Sequence, residues 1–236
     1  MAIICRDLKL LYIMVGGTGC SSVGSVLMER FGGTLLPACP LAGIDQKHNS
    51  IKQLVEHNLV SPKELKSYFK VANARNPFDR VATQYARLHG TSWEEFLKNP
   101  NSWVYKNKNY PDILRKEIEY AREVNFEKWV FKKYGFQSRV KAWLKYYLKS
   151  QGFPPGQHHT LFTDGVDKYI RFEYIEEDFN AILQKVGVLD WVSVPNRNPT
   201  SGKKTYQDYY TYKSRKLIEK VFSQELTKFG YTFGKH

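Results

Sequence analysis

The run Gly16-Gly17-Thr18-Gly19-Cys20-Ser21-Ser22 concentrates small and hydroxyl-bearing residues. Glycines let a backbone curl. The amides at a helix N-terminus, with the hydroxyls of Thr18, Ser21 and Ser22, would surround a phosphate or sulfate. The other reading of such a run is a flexible turn between a strand and a helix. The G-x-x-x-x-G-K-[ST] pattern is absent, because no lysine lies between Lys9 and Lys47, and this disfavours an ordinary ATPase or kinase. A second cluster runs from Arg75 through Asn76-Pro77-Phe78-Asp79-Arg80 to Thr83. An arginine fork at a strand end and a hydroxyl two turns into the next helix would converge on one phosphate. Alternatively Asp79 and Arg80 form surface ion pairs and Arg75 only caps a sheet.

These residues need elements to hold them. Lys9 to Val15 is a continuous apolar run and predicts a strand leading into the glycine loop; Val23, Val26, Leu27 and Phe31 follow at helical spacing. Ser61-Pro62-Lys63-Glu64 has the N-cap, first-turn proline and glutamate of a helix start. A second strand, Tyr68 to Ala74, ends at Arg75, and Val81, Tyr85 and Leu88 resume the helical period. From about Ser92 to Gly152 the chain reads as a helical insertion, opened by a capping-box spacing at Ser92 and Glu95 and dense in lysine, tyrosine and tryptophan. Lys168 to Tyr174 alternates like a strand, Ile175 to Val186 like a helix stopped by Gly187, and a last helix is expected over Tyr212 to Phe229. Strands alternating with helices imply an α/β fold with a mainly parallel central sheet, whose ligands bind beyond the carboxyl ends of the strands.

Composition bounds the function. The 236 residues are 42% apolar and 25% charged, ordinary for a globular chain, and 36 Lys and Arg against 23 acids give +13. Such a surplus attracts polyanions, so a basic nucleic-acid-binding protein is one alternative, although no recognised nucleic-acid motif is present. Three cysteines, Cys5, Cys20 and Cys39, without a C-x-x-C pair suggest neither a disulfide framework nor a zinc knuckle. No leader pattern and no apolar window of about 18 residues is visible, so a cytoplasmic location is expected. His158-His159 reads as a solvated pair in a loop and Glu173 as structural. The stretch Phe126 to Lys149, with Trp129, Trp143, Tyr146 and Tyr147 among lysines, reads as helix core with a solvated basic face or as an acceptor surface.

In their order, these segments resemble the PAPS-dependent sulfotransferases, and within them the carbohydrate branch called sulfotransferase family 2 (PAPS is 3′-phosphoadenosine 5′-phosphosulfate). Tyr12 to Val23 resembles the family's 5′-phosphosulfate loop. Lys47-His48 followed by Tyr68 to Tyr85 resembles its Arg-Asn-Pro block. Tyr169 to Gly187, Asn196-Arg197 and Tyr206 to Phe233 resemble its later segments. The resemblance implies one domain over residues 1–236 with a P-loop-NTPase-like three-layer fold, the central sheet flanked by helices and an insertion at about 92–152. It implies PAPS as donor, no metal, and a hydroxyl acceptor of glycan or sugar-containing type. Arg75 and Thr83 would hold the 3′-phosphate, with threonine where the family usually has serine. Gly16, Gly17, Thr18, Gly19, Cys20, Ser21 and Ser22 would hold the 5′ end, and Lys203-Lys204 would close a loop over the nucleotide. His48 stands at the place of the family's general base, which an imidazole can serve near neutral pH. Sulfuryl transfer, like phosphoryl transfer, needs in-line geometry and charge stabilisation. The family's loop proline and lysine are Gly16 and Gly17 here. Lys47, Arg197, Lys203 and Lys204 are the candidates to replace that lysine's charge, and a catalytically silent PAPS-binding member is the remaining alternative.

Overall fold

A computed structural model of the chain describes residues 1–37, 48–106, 108–149, 158–197, 199–200 and 202–234. It is a mixed α/β structure with a five-stranded sheet flanked by helices. Strand β1 (Ala2–Cys5) turns at Arg6–Lys9 into β2 (Leu10–Ile13), and the two pair antiparallel. Then come α1 (Cys20–Arg30), β3 (Thr34–Leu36), α2 (Ile51–Glu56), α3 (Pro62–Leu65), β4 (Phe69–Ala74) and α4 (Pro77–His89). Helices α5 (Glu94–Lys98), α6 (Tyr110–Glu123), α7 (Phe126–Tyr134), α8 (Phe136–Lys149) and α9 (His158–Phe162) precede β5 (Lys168–Arg171). The chain closes with α10 (Ile175–Lys185), α11 (Tyr212–Val221) and α12 (Ser223–Phe229). Among the described residues no helix is long and apolar enough to cross a membrane.

The strand order is β3-β1-β2-β4-β5; β2, β4 and β5 run parallel, while β1 is antiparallel to both its neighbours. Strand β1 escapes the sequence reading because all four of its residues are buried, so it carries no apolar–polar alternation. Ile3, Leu10, Tyr12, Val71 and Ile170 pack on one side against α1 and α10 through Val23, Leu27, Phe179 and Leu183. Ala2, Ile4, Leu11, Ile13 and Ala72 face the other way, toward Leu54 and Phe162. Each buried Leu, Ile or Phe contributes roughly 1.5 to 3 kcal/mol, so the alternating faces pin the register.

A third cluster joins α4 to α6, α7 and α11 through Phe78, Val81, Tyr85, Leu114, Ile118, Trp129 and Ile218. Three expected elements differ in detail. The strand expected over Lys168–Tyr174 ends at Arg171, where Asp178 accepts from both the backbone and side chain of Arg171 and turns the chain into a 3₁₀ segment. The last helix breaks at Phe222, whose ring is buried beside Arg80 and Tyr134, so that Glu225 turns inward. Behind Ser92 a turn from Thr91 to Glu94 intervenes, and α5 begins at Glu94 without a side-chain cap.

Candidate active site

Because β2, β4 and β5 lie side by side and parallel, their carboxyl ends deliver the glycine loop, Arg75 and Phe172 to one edge of the sheet. Gly17 and Gly19 both take φ of 76°, left-handed conformations that glycine adopts without strain. A Cβ at Gly19 would meet Ile175 and Phe172 at 3.0 Å, so this position is also closed to side chains by close approach.

The loop's carbonyl groups are held from outside. Thr18 Oγ1 donates to the Val15 carbonyl at 2.6 Å, Arg75 Nη1 to that of Gly17 at 2.9 Å, and Asn73 Nδ2 to that of Thr18 at 2.9 Å. In a planar trans peptide the N–H points opposite to its carbonyl, so these clamps turn the Gly16, Thr18 and Gly19 amides away from the residues that hold them. Thr18's hydroxyl is thus a staple of the loop. The Cys20 side chain is buried in the core beneath it. Ser21 is half-buried in the first turn of α1, and Ser22 Oγ accepts from the Arg197 amide at 3.4 Å.

Arg75, buried at the end of β4, is the hub. Its Nε donates to Asp79 Oδ2 at 2.8 Å and its Nη2 to Thr83 Oγ1 at 2.7 Å, and the guanidinium lies 3.9 Å from the Phe172 ring centroid. The structure therefore brings Arg75 and Thr83 into direct contact. Asn76 starts α4 as an N-cap, accepting from the Phe78 amide at 3.0 Å. Glu173 ties the α4 start to the C-terminal segment, accepting from the Asn76 amide and the Tyr231 hydroxyl at 2.8 Å each.

Asp79 also accepts from Lys203 Nζ. Asp79 is accordingly buried rather than part of a surface pair. Burial alone would raise its carboxyl, but Arg75 and Lys203 outweigh that and hold it below the usual range. Burial lowers Lys203 and Arg87, and both are lowered further by Arg75. Arg87 is the residue the sequence reading missed. It lies one helical turn beyond Thr83, and its Nε donates to Thr200 Oγ1 at 3.0 Å. Arg75 and Lys203 thus flank the Asp79 carboxylate, with Arg87 close enough to act on both of these cations, beside a cleft of about 430 Å³ lined by Asp79, Phe172, Glu173, Lys203, Thr205, Tyr206 and Gln207.

Behind the loop is a second buried network. Arg80 Nη2 donates to Glu225 Oε2 at 2.9 Å, Nη1 bonds the other carboxylate oxygen, and Nη1 lies 2.6 Å from His159 Nδ1. Burial first and the Arg80 charge second push the His159 imidazole down, so the ring is neutral at physiological pH and Nδ1 accepts. The solvated reading of this histidine is therefore wrong: its side chain is buried and it also bonds the Gly16 backbone. Burial would raise Glu225, but Arg80 and His159 hold its carboxyl at about 2. Arg80 is likewise interior, with its Cγ 3.5 Å from where a Gly17 Cβ would stand.

His48 comes to the same loop: its Nε2 lies 3.1 Å from where a Gly16 Cβ would be, and its ring meets Phe162 edge-on with centroids 6.3 Å apart. Of the candidate replacement cations, Lys203 is in the pocket. Arg197 is turned to Glu29 at 2.5 Å, Lys204 touches Tyr209 through its backbone amide, and Lys47 lies outside the described residues. Compared with known families, the chain matches a model described as "Sulfotransferase family" over residues 1–232. No curated protein and no solved structure matches it.

Proposed function

Since the chain belongs to the sulfotransferase family, we propose that this enzyme takes PAPS as its donor and sulfates a hydroxyl of a carbohydrate or sugar-containing acceptor. One observation carries the donor assignment. Arg75, Arg87 and Lys203 outnumber the carboxylates Asp79 and Glu173 beside the cleft, next to a loop whose amides point away from their clamps. That charge suits a phosphate dianion on a sugar, and the neighbouring loop and helix N-terminus suit a second anionic group. The residues present fit PAPS on these grounds. Arg75 and Thr83, joined by Arg87 and Lys203, would hold the 3′-phosphate. The backbone of Gly16 to Ser22 would hold the 5′ end, with Arg197 held to that helix by the hydrogen bond its backbone N–H donates to Ser22 Oγ.

When bound, PAPS supplies a sulfuryl group activated by a phosphate leaving group. The chain's part is positioning and proton handling. His48, set against the loop's first glycine, would accept the acceptor's hydroxyl proton on a ring nitrogen. Loop amides would face the leaving oxygen in place of the lysine that Gly17 lacks. The fold is read as a P-loop-NTPase-like three-layer domain spanning the chain, with α5 to α8 as its insertion. Three cysteines, Cys5, Cys20 and Cys39, without a C-x-x-C pair support a reducing, cytoplasmic compartment.

Transfer of labelled sulfate from PAPS to a panel of sugars tests this reading. Labelled acceptor is expected with wild type and none with Arg75→Ala. Selective nucleotide binding without transfer to any hydroxyl would leave a silent family member.

A further inference from the structure

Helix α8 presents its apolar side outward. Phe136, Val140, Trp143, Leu144, Tyr147 and Leu148 fall on one arc of the helix, and each is exposed, Phe136 and Leu148 by 74% and 75%. The side turned toward the molecule carries Ser138, Arg139, Ala142 and Tyr146, the residues of α8 that are half-buried. This reverses the ordinary arrangement of a surface helix, in which the apolar stripe faces the core. The charge is equally one-sided. Lys141 and Lys145 are exposed beside the stripe, and the sequence Phe136 to Lys149 contains no Asp or Glu. Trp143 and Tyr147 stack in parallel with ring centroids 4.6 Å apart, a rigid amphipathic pair.

We propose that α8 is a docking surface for an anionic lipid membrane, lying in the interface with its apolar arc in the acyl boundary and its lysines at the headgroups. At 14 residues the helix is too short to span a bilayer, which needs about 20, but it has the composition of one that lies on its surface. Lysine stems snorkel, so Lys141 and Lys145 reach anionic headgroups while their methylenes extend the apolar edge. A second protein chain would need acidic groups to answer the same lysines, and a second copy of this basic chain brings a +13 charge against +13.

The test is co-sedimentation of the full-length protein with vesicles of phosphatidylcholine alone and with about one third phosphatidylserine. The comparison is wild type, Leu144→Glu/Leu148→Glu and Lys141→Ser/Lys145→Ser. Both pairs are exposed, and thermal melting checks that each variant is folded. Wild type is expected to bind the anionic vesicles at least about tenfold better than the neutral ones, and either pair of substitutions to reduce that binding about tenfold or more. Three outcomes would overturn the assignment. Wild type could stay in the supernatant at low salt; the Glu pair could bind as well as wild type, making the attraction one of general surface charge; or wild type could run as a dimer that the Glu pair converts to monomer, putting a second copy on this face.

Discussion

At the scale of single residues, the proposed site separates groups that would hold charge from one that would move a proton. His48 is half-buried against Gly16 and Phe162, whereas Arg75 bonds Gly17, Asp79 and Thr83, so the loss of His48 should leave nucleotide binding intact. For His48→Ala, kcat is expected to fall roughly 100-fold while the affinity for 3′-phosphoadenosine 5′-phosphate stays within about twofold. Turnover equal to wild type would remove His48 from the mechanism. Gly17 shows why the family's lysine is not simply restorable. Its φ of 76° is left-handed, and a side chain there costs roughly 1 to 2 kcal/mol. Gly17→Lys should therefore lower the melting temperature rather than improve the enzyme, and an unchanged or higher Tm would show that the loop does not impose that conformation. Arg75 and Thr83 were legible in the sequence because a strand end followed by two helical turns fixes their relative position. Arg87 was readable by the same logic, one turn on. Lys203 was readable only through the resemblance, since no periodicity connects it to α4.

At the scale of elements, the Arg80–Glu225–His159 network fastens α4, α12 and α9 together behind the glycine loop. Its members are 79 and 145 positions apart in sequence, so no motif announces it, and burial is what makes it strong. Glu225→Gln leaves the Arg80 guanidinium buried without its counter-charge, and unfolding free energy should fall by about 3 to 5 kcal/mol in chemical denaturation. A change below about 1 kcal/mol would mean water or another group compensates Arg80. The network also sets a pH dependence. His159 has its pKa depressed in the fold, so its contribution is complete above the unfolded value of about 6.5 and is lost as pH falls through the lower folded value. Glu225, also depressed, contributes fully above the ordinary carboxylate range and loses that contribution as pH falls toward about 2. Stability should thus drop on acidification from pH 6.5 in wild type, and less steeply in His159→Gln; equal slopes would exclude the histidine. The alternation of strands and helices and the capped start of α3 follow from local chemistry and were readable. Strand β1 and the break at Phe222 were not, because each is dictated by burial against distant elements.

At the scale of the whole molecule, a +13 charge draws many anions, and this makes bare anion binding a weak criterion. Contacts of surface lysines with an oligonucleotide weaken steeply with salt, whereas buried pairs such as those of Arg75 are screened far less. On the proposed reading, discrimination comes from the place where three cations, a hydroxyl and a curled loop meet at the ends of parallel strands. The decisive measurement is calorimetric titration of 3′-phosphoadenosine 5′-phosphate into wild type and Arg75→Ala at moderate salt, with AMP and ATP as controls. The account expects saturable binding to wild type that AMP and ATP do not reproduce, weakened at least about 100-fold in Arg75→Ala, a loss of roughly 2.7 kcal/mol. Equal affinity in a folded Arg75→Ala, or equal binding of AMP, would contradict it.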